Sequence, residues 1–533
     1  MKIIAVIPAR GGSKGIPNKN IRLVNGKPLI YYTIENAIKS KYITDIIVTT
    51  DSVEIQLIAR QMGVKCKERE KYLCGDKVTL DEVIFDVVKD VECDIAVTMQ
   101  PTSPTLKVQT LDRAIEYFLV NKLDTLISAI NSPRLSWRKA DNGRMIPNYE
   151  KRVNRQYLPK EFAETGAFVI SDRMIMNKNT RIGMKTDIFE ISEEEAIDID
   201  DFSDLLYAEY VLGKKKIAMY VNGNNKRGMG HIYRSLDIAD EFYAKPDIFY
   251  DVNQTERKLF GDTKHNLIPI KNIEELYDYV EREQYSIFIN DVLSTSVEYM
   301  KKLRSACRSM KIVNFEDDSE GGYRADLLIN ALYQEAEFNK MKAGYQYYVV
   351  PKVFLFYPPI KINNDVNRVF ISFGGADPRN YTQRLIDIVT KKKYDHIDFV
   401  VAVGRAYKNV ADAMQYNSYP NISVYYDVGN MPELMYSCDI AVTSRGRTGY
   451  ELALLGIPTI SMAQNAREEK HGFISAEHGF NYLGMNPSDS YIELNLDMFI
   501  NMSKADREML QEKMLSCDLK SGRKRVISLI NNL

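Results

Sequence analysis

Three cations stand among glycines just after the first apolar run of this chain. An apolar run such as residues 4–7 fits a buried parallel strand, and the glycines that follow leave backbone N–H groups free to surround phosphate. A solvated basic turn is the alternative, but it needs neither regularly placed cations nor the two prolines that stiffen this loop. The pattern predicts a phosphate-binding loop, although no Gly-Lys-Ser or Gly-Lys-Thr closes it as in a Walker loop. Its candidate residues are Arg10, Gly11, Gly12, Ser13, Lys14, Lys19 and Asn20.

Two carboxylates near residue 200 could hold a metal ion. In a strand, Asp198 and Asp200 would point to the same face, where they would repel each other unless a cation lies between them. Carboxylate pairs suit Mg²⁺, whose remaining positions go to water and phosphate oxygens. An acidic helix start is the alternative, because Asp and Ser are ordinary caps for a helix such as residues 205–212. Together with the phosphate loop, the pair predicts a magnesium site.

A proline-fixed turn offers one side-chain amide to a ligand. The buried strand predicted at residues 95–99 ends in Gln100, and Pro101 and Pro104 fix the turn, so the Gln100 amide can be aimed rigidly. A plain turn explains the prolines but not the glutamine. This turn predicts a contact to a polar substrate.

The elements that position these groups alternate between helices and strands. A helix at residues 28–40 and a strand at residues 46–50 follow the loop, and Asp51 ends that strand. This order predicts a parallel sheet with ligands at the carboxyl ends of its strands, so Asp51 and the loop share one edge. Asp51 would also serve there as a helix N-cap, and the two roles are compatible.

Residues 1–212 resemble the cytidylyltransferases that make CMP-sialic acids. The loop, the Gln-Pro-Thr-Ser-Pro turn, the Arg-Gln and Glu-Thr-Gly-Ala segments and the Asp-x-Asp pair match that family's motifs in order, except that Thr165 replaces an Asn. These motifs favour the nonulosonate branch over the Kdo cytidylyltransferases. The resemblance implies a Rossmann-like nucleotidyltransferase that binds CTP and a nonulosonic acid and forms a homodimer. It assigns nucleotide binding to the loop and Asp76, sugar binding to Gln100, Arg155, Gln156 and Thr165, catalysis to Arg10, Lys19, Asp198 and Asp200, and magnesium to the last two.

The implied reaction is a displacement at phosphorus. The hydroxyl on the anomeric carbon of the sugar attacks the α-phosphate of CTP, and pyrophosphate leaves. Arg10, Lys14 and Lys19, with Mg²⁺, would neutralise the charge that grows on the transferring and leaving phosphates.

A second glycine-rich loop follows a polar joint in mid-chain. After a strand at residues 217–221 come Gly228, Gly230 and His231, with Arg234 one turn into a helix. Glycines bring backbone close to a ligand at a helix N-terminus, although a histidine there is more often a cap or a surface residue. The Gly-x-Gly-His-x-x-Arg spacing resembles the UDP-sugar hydrolases of pseudaminic and legionaminic acid synthesis. The resemblance implies that His231 is a catalytic base and that Gly230 and Arg234 bind the nucleotide.

Two successive strand–helix arrays make up this second half. The first includes strands at residues 286–290 and 311–315, and the second begins at residues 368–373, after a pause near residue 355. Two such arrays with facing glycine loops predict the GT-B arrangement, two Rossmann-like lobes around a cleft.

The loop after residues 439–443 is phosphate-friendly and places Glu451 one turn into a helix, where its carboxylate can accept from ribose hydroxyls. Relatives carry a Gly-Gly-Ser-Thr type of loop at this point, so Arg445 and Arg447 depart from the pattern and would strengthen phosphate binding or change the ligand. The nucleotide candidates of this lobe are Gly374, Gly446, Thr448 and Glu451, and Asn465 is a substrate candidate.

Length and composition bound the remaining choices. The predicted domains are residues 1–212, a linker at 213–216, and lobes at 217–355 and 356–533. With 71 basic and 72 acidic residues the net charge is -1, which argues against nucleic acid or an anionic membrane as a partner. No apolar stretch approaches the roughly 20 residues of a membrane span, so we expect a cytoplasmic protein. Six scattered cysteines suit reduced thiols, and we expect no structural metal.

The sequence thus predicts an α/β, bifunctional enzyme of nonulosonic acid synthesis. Its first half would transfer CMP from CTP, and its second half would hydrolyse a UDP-linked acetamido sugar. Two alternatives stay open for the second half: a GT-B glycosyltransferase that passes sugar to an acceptor, and a scaffold that only binds a nucleotide.

Overall fold

The apolar runs of the sequence become buried strands of three large sheets in the computed structural model. The structure describes residues 1–12, 15–75, 77–223, 230–333 and 339–533. The chain forms two compact units, Met1–Lys214 and Lys215–Leu533. Within the described ranges, no helix has the length and apolar character needed to cross a bilayer.

The first unit alternates strands and helices along most of its length. Its strands are β1 (Ile3–Pro8), β2 (Leu23–Val24), β3 (Lys27–Pro28), β4 (Asp45–Thr50), β5 (Lys65–Glu68), β6 (Ile95–Thr98), β7 (Thr125–Asn131), β8 (Trp137–Lys139), β9 (Met145–Pro147), β10 (Phe162–Asp172) and β11 (Thr186–Glu190). Its helices are α1 (Leu29–Lys39), α2 (Val53–Gln61), α3 (Leu80–Val88), α4 (Val108–Asn121) and α5 (Phe202–Leu212).

In the described part of this unit the main sheet has the order β11-β7-β10-β6-β1-β4-β5. Strand β1 is buried along its apolar run, as expected for a strand covered on both faces. Helix α1 buries Leu29, Ile30, Ile34 and Ala37, an apolar stripe at helical spacing. The predicted parallel sheet is confirmed with one correction, because β10 runs antiparallel between β6 and β7.

Strand β1 lies between β4 and β6, so the chain leaves β1 in both directions across the sheet. Ligand sites of open α/β sheets lie at such a switch point, at the carboxyl ends of the strands. The loop after β1 and the turn after β6 both start at this point.

The second unit contains two sheets. Its strands are β12 (Ile217–Val221), β13 (Asp247–Asp251), β14 (Asn266–Ile270), β15 (Ile287–Asp291), β16 (Lys311–Phe315), β17 (Leu327–Asn330), β18 (Met341–Ala343), β19 (Arg368–Ser372), β20 (Asp398–Val403), β21 (Ile422–Tyr426), β22 (Ile440–Ser444), β23 (Thr459–Ala463) and β24 (Phe480–Met485). Its helices are α6 (Gly230–Ala239), α7 (Ile273–Glu283), α8 (Val297–Ala306), α9 (Tyr381–Val389), α10 (Val410–Gln415), α11 (Met431–Tyr436), α12 (Arg447–Leu455), α13 (Asp489–Ile500), α14 (Lys504–Leu515) and α15 (Gly522–Asn531).

Among the described residues, the first lobe has the strand order β14-β13-β12-β15-β16-β17-β18 and the second has β21-β20-β19-β22-β23-β24. The switch points lie between β12 and β15 and between β19 and β22. Every named strand pair in these two sheets is parallel. Two parallel Rossmann-like lobes in one unit form the GT-B fold expected from the sequence.

The helical tail ties the two lobes together. Helix α15 follows the second lobe in sequence, but its Val526 and Ile530 pack in the core of the first lobe. Arg523 in the same helix donates to Asp237 Oδ1 of α6 at 2.8 Å and to the Val350 carbonyl at 2.6 Å. The tail therefore packs across the two lobes.

Candidate functional sites

The loop after β1 is fastened to the end of β4. The Gly11 N–H donates to Asp51 Oδ1 at 2.7 Å, and Asn20 Nδ2 donates to the Arg10 carbonyl at 3.0 Å. The N-cap of α2 is Ser52, whose side chain accepts from the Ile55 N–H, so the alternative interpretation of Asp51 as a helix cap is wrong. Asp51 instead uses its carboxylate to hold the loop.

Lys19 joins this loop to the acidic segment from the end of the unit. Its Nζ donates to the Ile199 carbonyl at 2.6 Å and lies 3.5 Å from Asp200 Oδ1. Gly15 passes close to the same segment, because a Cβ there would lie 2.5 Å from the Asp200 carbonyl oxygen. The Lys19 side chain is only 14% exposed, so its charge is fixed against the acidic segment. Two segments about 180 residues apart in sequence, as counted for the Lys19 contact, thus form one site.

Asp198 and Asp200 are exposed, and the intervening Ile199 is buried. A strand at this position is wrong, since residues 198–200 belong to no strand of the described structure. This segment is held instead by Lys19 and by the Ile199 N–H, which donates to the Thr102 carbonyl at 2.9 Å. The alternation still leaves both carboxylates on the solvent side.

This carboxylate pair fits Mg²⁺ but not a closed metal cage. Among the described residues, no group of three or more His, Cys, Asp or Glu side chains is placed to hold a metal ion. Mg²⁺ usually takes one or two carboxylates and fills its other positions with water and substrate phosphate. Asp198 and Asp200 would supply the protein's share. The neighbouring Asp201 and Asp204 are occupied as the capping box of α5.

Of the residues predicted to bind the sugar, Gln100 lies beside the Thr165–Gly166 segment. The Gln100 N–H donates to the Gly166 carbonyl at 3.3 Å, and a Cβ on Gly166 would lie 3.2 Å from Gln100 Nε2. The Thr165 hydroxyl lies 2.7 Å from Ser128 Oγ and donates to it, so this hydroxyl is turned toward β7. Gln100 and the Thr165–Gly166 backbone therefore share one wall of the site.

Arg155 and Gln156 lie in a short exposed turn on the surface of the unit. Arg155 Nη2 pairs with Glu193 Oε1 at 3.2 Å, and both side chains are largely exposed. The structure does not bring these two residues into contact with Gln100. Gly12 is exposed at the edge of the described loop, whereas Ser13, Lys14, Asp76 and Gly228 lie outside the described residues.

In the second unit, His231 belongs to a buried charged network at the switch point of the first lobe. Its Nδ1 lies 2.5 Å from Oδ1 of Asp291, the last residue of β15. Arg234 donates to both oxygens of Asp291, at 2.8 Å from Nε and 2.5 Å from Nη2. All three residues are at most 7% exposed. The sequence predicts the strand that ends just before Asp291, but it gives no sign that Asp291 pairs with His231.

The surroundings set the charge states of this network. Burial lowers the pKa of His231, although Asp291 opposes the shift. Burial alone would raise the pKa of Asp291, but Arg234 and His231 outweigh it and hold that pKa well below its usual range. Asp291 is therefore ionised and accepts from His231 Nδ1–H, which leaves the Nε2 lone pair of a neutral imidazole free to take a proton.

A second contact of this network crosses between the lobes. Arg234 Nη1 donates to Glu316 Oε1 at 3.2 Å, and Glu316 directly follows β16. From the second lobe, Arg467 Nη2 donates to the Glu316 carbonyl at 2.6 Å, and Arg467 Nε donates to Tyr333 Oη at 3.1 Å. The sequence predicts a strand that ends just before Glu316, but it singles out neither Glu316 nor Arg467.

A cavity of about 570 Å³ lies between the lobes. Its polar lining includes Gly230, Arg234 and Glu316 from the first lobe and Arg447 and Glu451 from the second. Burial raises the pKa of Glu451 to about 7, although Arg447 opposes the shift. Gly230 lines the cavity. The neighbouring His231 belongs to the buried charged network and is not part of the cavity lining among the described residues. A space of this size, with cations and carboxylates converging on it, suits a nucleotide-sized ligand.

Arg445 and Arg447, the two arginines that depart from the loop of the relatives, have different contacts in the second lobe. Arg445 donates to the Ile474 and Glu469 carbonyls, and its guanidinium lies 3.9 Å from the centroid of the Tyr482 ring, so it supports the loop. Arg447 lines the cavity instead, and a Cβ on Gly230 would lie 2.4 Å from its Nη1.

The remaining candidates of this lobe lie at strand ends and in caps. Gly374 follows β19 with a φ of 75°, Gly446 is the N-cap of α12, and Thr448 lies in its first turn. Asn465 Oδ1 accepts from the Arg467 and Glu468 N–H groups, so this exposed side chain organises its own turn. None of these four lines the cavity among the described residues.

Comparisons with known proteins bear mainly on the first unit. Residues 4–157 match a family model described as Cytidylyltransferase. N-acylneuraminate cytidylyltransferase of Escherichia coli O18:K1:H7 is 30% identical over 302 residues, covering 52% of this chain and 68% of that protein. Post-translational flagellin modification protein B of Campylobacter coli is 29% identical over 228 residues, covering 40% of this chain and 97% of that protein. The match spans between 52% and 64% of the length of the first four curated relatives.

A solved structure resembles the second unit. Acinetobacter baumannii MurG matches 60% of this chain and all of that protein, with 12% identity and a TM-score of 0.45. At this overlap the likeness adds nothing to the topology described above.

Proposed function

Because the chain belongs to the N-acylneuraminate cytidylyltransferase family, we propose that its first unit transfers CMP from CTP to a nonulosonic acid and releases pyrophosphate. The observation that carries this proposal is the bridge made by Lys19. Its ammonium joins the phosphate-type loop to Asp200, so cationic and acidic groups face one point at the carboxyl edge of the sheet. Phosphoryl chemistry needs such a point, where charge on the transferring group is stabilised.

Arg10 and Lys19 would stabilise the charge that develops on the α-phosphate and on the departing pyrophosphate. Lys19 suits this role because its ammonium is held in place by the Ile199 carbonyl before any substrate arrives. Mg²⁺ bound by Asp198 and Asp200 would supply further positive charge at the phosphates.

The sugar would lie against Gln100. The Gln100 side chain packs on Gly166, where there is no side chain to block a ligand. Because the Thr165 hydroxyl is turned to Ser128, we assign sugar recognition on this wall to the Gln100 amide and the backbone beside it. In this proposal the departure from the family's Asn removes one amide from the site.

The test is to incubate the protein with CTP and sialic, legionaminic or pseudaminic acid in separate reactions and to follow pyrophosphate and the CMP-sugar. Formation of both products from at least one of the three acids supports the proposal. Absence of both with all three acids contradicts it.

For the second unit we propose hydrolysis of a UDP-linked acetamido sugar, with His231 as the base that activates water. The supporting observation is the His231–Asp291 pair, because an ionised acceptor on Nδ1 fixes the tautomer in which Nε2 takes a proton. Gly230, next to His231, lines the cavity where UDP would be held by Arg447 and Glu451. Water would attack the anomeric carbon, and UDP would leave.

This second proposal is tested with a UDP-diacetamido-trideoxyhexose. Release of UDP and free sugar without an added acceptor supports hydrolysis. Release that requires an acceptor supports the glycosyltransferase alternative, and binding without release supports the scaffold alternative.

A further inference from the structure

Glu316 holds a carboxylate oxygen that the fold leaves unsatisfied. The residue is 2% exposed, and its Oε1 accepts from Arg234 Nη1 at 3.2 Å. Its Oε2 is buried and has no hydrogen-bond partner in the part of the chain that the structure describes. Leaving a buried charged acceptor unpaired is costly, so such a group calls for a partner that the protein alone does not provide.

The backbone of Glu316 is held in an unusual conformation. Its φ is 54°, in the left-handed region that residues other than glycine seldom adopt. Arg467 from the second lobe donates to its carbonyl, and the Glu316 N–H donates to the Ile329 carbonyl at 2.9 Å. Strain of this kind persists where the surroundings enforce it, and it is concentrated at ligand sites. These contacts fix the direction of the side chain from both lobes.

Glu316 lines the same cavity as Arg447. Burial and the like charge of Arg234 lower the pKa of the Arg447 guanidinium, so this cation lacks full compensation. The cavity therefore offers a cation that gains from an anion and a carboxylate oxygen that gains from a hydrogen-bond donor. A nucleoside diphosphate sugar carries both, the diphosphate for Arg447 and the N–H and O–H groups of its glycosyl ring for Glu316.

We propose that Glu316 is a specificity-determining residue of the second unit, and that its Oε2 accepts a hydrogen bond from an N–H or O–H group on the glycosyl part of a nucleoside diphosphate sugar. This inference rests on the proposed nucleotide-sugar site of that unit. It assigns recognition of the sugar to the first lobe and recognition of the nucleotide to the second.

The test compares the binding of UDP and of UDP-N-acetylglucosamine by calorimetry with the full-length protein. Glu316→Gln keeps the shape of the side chain but removes a charged acceptor. It should weaken binding of UDP-N-acetylglucosamine about tenfold or more and leave UDP affinity unchanged, because UDP has no glycosyl group. Asp318→Asn makes the same charge change two residues away on an exposed side chain and should alter neither affinity.

A second variant guards against misfolding. Glu316→Asp keeps the charge and withdraws the oxygens from the cavity, so it should also weaken UDP-N-acetylglucosamine selectively. A general structural defect would lower both affinities in both variants and overturns the proposal. If Glu316→Gln binds UDP-N-acetylglucosamine as tightly as the wild type does, the proposed role of Glu316 is overturned as well. That result would not contradict the proposed nucleotide site of the second unit. If the wild-type protein shows no binding of UDP once its first unit is saturated with CTP, the proposed function of the second unit fails, and the inference fails with it.

Discussion

The two units use carboxylates in opposite ways at equivalent places in their sheets. In the first unit, the Asp200 side chain is 83% exposed, and its Oδ1 lies 3.5 Å from the Nζ of Lys19. In the second unit, Asp291 is fully buried and accepts from His231, Arg234 and Ser235. Both units place these groups near the switch point of an α/β sheet.

This difference shows what folding completes in each site. Under the proposed function, magnesium and substrate phosphate would complete the exposed pair of the first unit, so its geometry would depend on the substrate. The buried network of the second unit is completed by the fold, with Asp291 fixing both His231 and Arg234 before any ligand binds. Charges of the first kind contribute little to stability, whereas removal of one partner from a buried network is costly.

The largest effect is expected for His231→Asn. The substitution removes the base, so release of UDP from a UDP-linked acetamido sugar should fall by about 10² to 10⁴ while CMP transfer continues. UDP release is measured by a coupled assay. His396→Asn is the matched control, because His396 is exposed and does not line the cavity, so its loss should change UDP release little. Equal losses in the two variants would contradict the role of His231.

The next prediction concerns the stability of the two units and tests the contrast between the buried Asp291 and the exposed Asp200. Asp291→Asn removes the ionised acceptor of two hydrogen bonds from the buried Arg234 guanidinium and leaves it the longer contact to Glu316, so the second unit should lose about 3–5 kcal/mol of unfolding free energy. Asp200→Asn should change the unfolding free energy of the first unit by about 0.5 kcal/mol or less, because that carboxylate is exposed. Hydrogen exchange in denaturant, followed by mass spectrometry on peptides from β15 and from β1, separates the two units. Similar changes in both variants would remove the contrast between the sites.

A third prediction is that Asp200→Asn strongly lowers the activity of the first unit, although it changes the stability of that unit little. Asp200→Asn should lower CMP transfer about 10²-fold, because a stabiliser of the transferring phosphate is lost. Pyrophosphate release measures the rate. The control Asp201→Asn makes the same charge change one position away and keeps a good helix cap, so it should transfer CMP at close to the wild-type rate. A slow Asp201→Asn protein would show that general charge, and not the position of Asp200, sets the rate.

The smallest predicted effect is a pH dependence of binding in the second unit. Burial raises the pKa of Glu451 to about 7, so this carboxyl is mostly neutral at pH 6 and mostly ionised at pH 8. The ionised form is the stronger acceptor for ribose hydroxyls, so affinity for UDP-N-acetylglucosamine should rise about fivefold between these pH values. The rise should be absent in Glu451→Gln. Affinity that falls with pH would contradict this role for Glu451.

The sequence predicted the fold well because the apolar runs of parallel strands are continuous. Residues 46–50 and 217–221 stand out in this way, and they form β4 and β12. Once such strands are known, the loops at their carboxyl ends are known too, so Gly11 and Gly446 could be placed at ligand-facing edges. The exception, β10, runs antiparallel, and strand direction leaves no mark in the composition of a buried run.

The contacts between distant residues could not be predicted. His231 and Asp291 are 60 positions apart, and Arg467 and Glu316 are 151 apart, so only the fold brings them together. Residues 198–200 alternate as a strand would, but their partners are the side chain of Lys19 and the backbone of Thr102 instead of a neighbouring strand.

Arg445 and Arg447 show a further limit of the sequence. They lie two positions apart in one loop, where both could serve phosphate. The structure uses the first to support the loop and the second to line the cavity, a division that follows from side-chain direction.

One reaction mixture tests whether a single chain carries two separate chemical sites. CTP, a nonulosonic acid and a UDP-diacetamido-trideoxyhexose are supplied together, and the CMP-sugar and UDP are followed by phosphorus NMR for the wild type, Asp200→Asn and His231→Asn. We expect both products from the wild type. Asp200→Asn should release UDP without forming CMP-sugar, and His231→Asn should form CMP-sugar without releasing UDP. Loss of both products in either variant, or of neither in both, would contradict the presence of two separate sites.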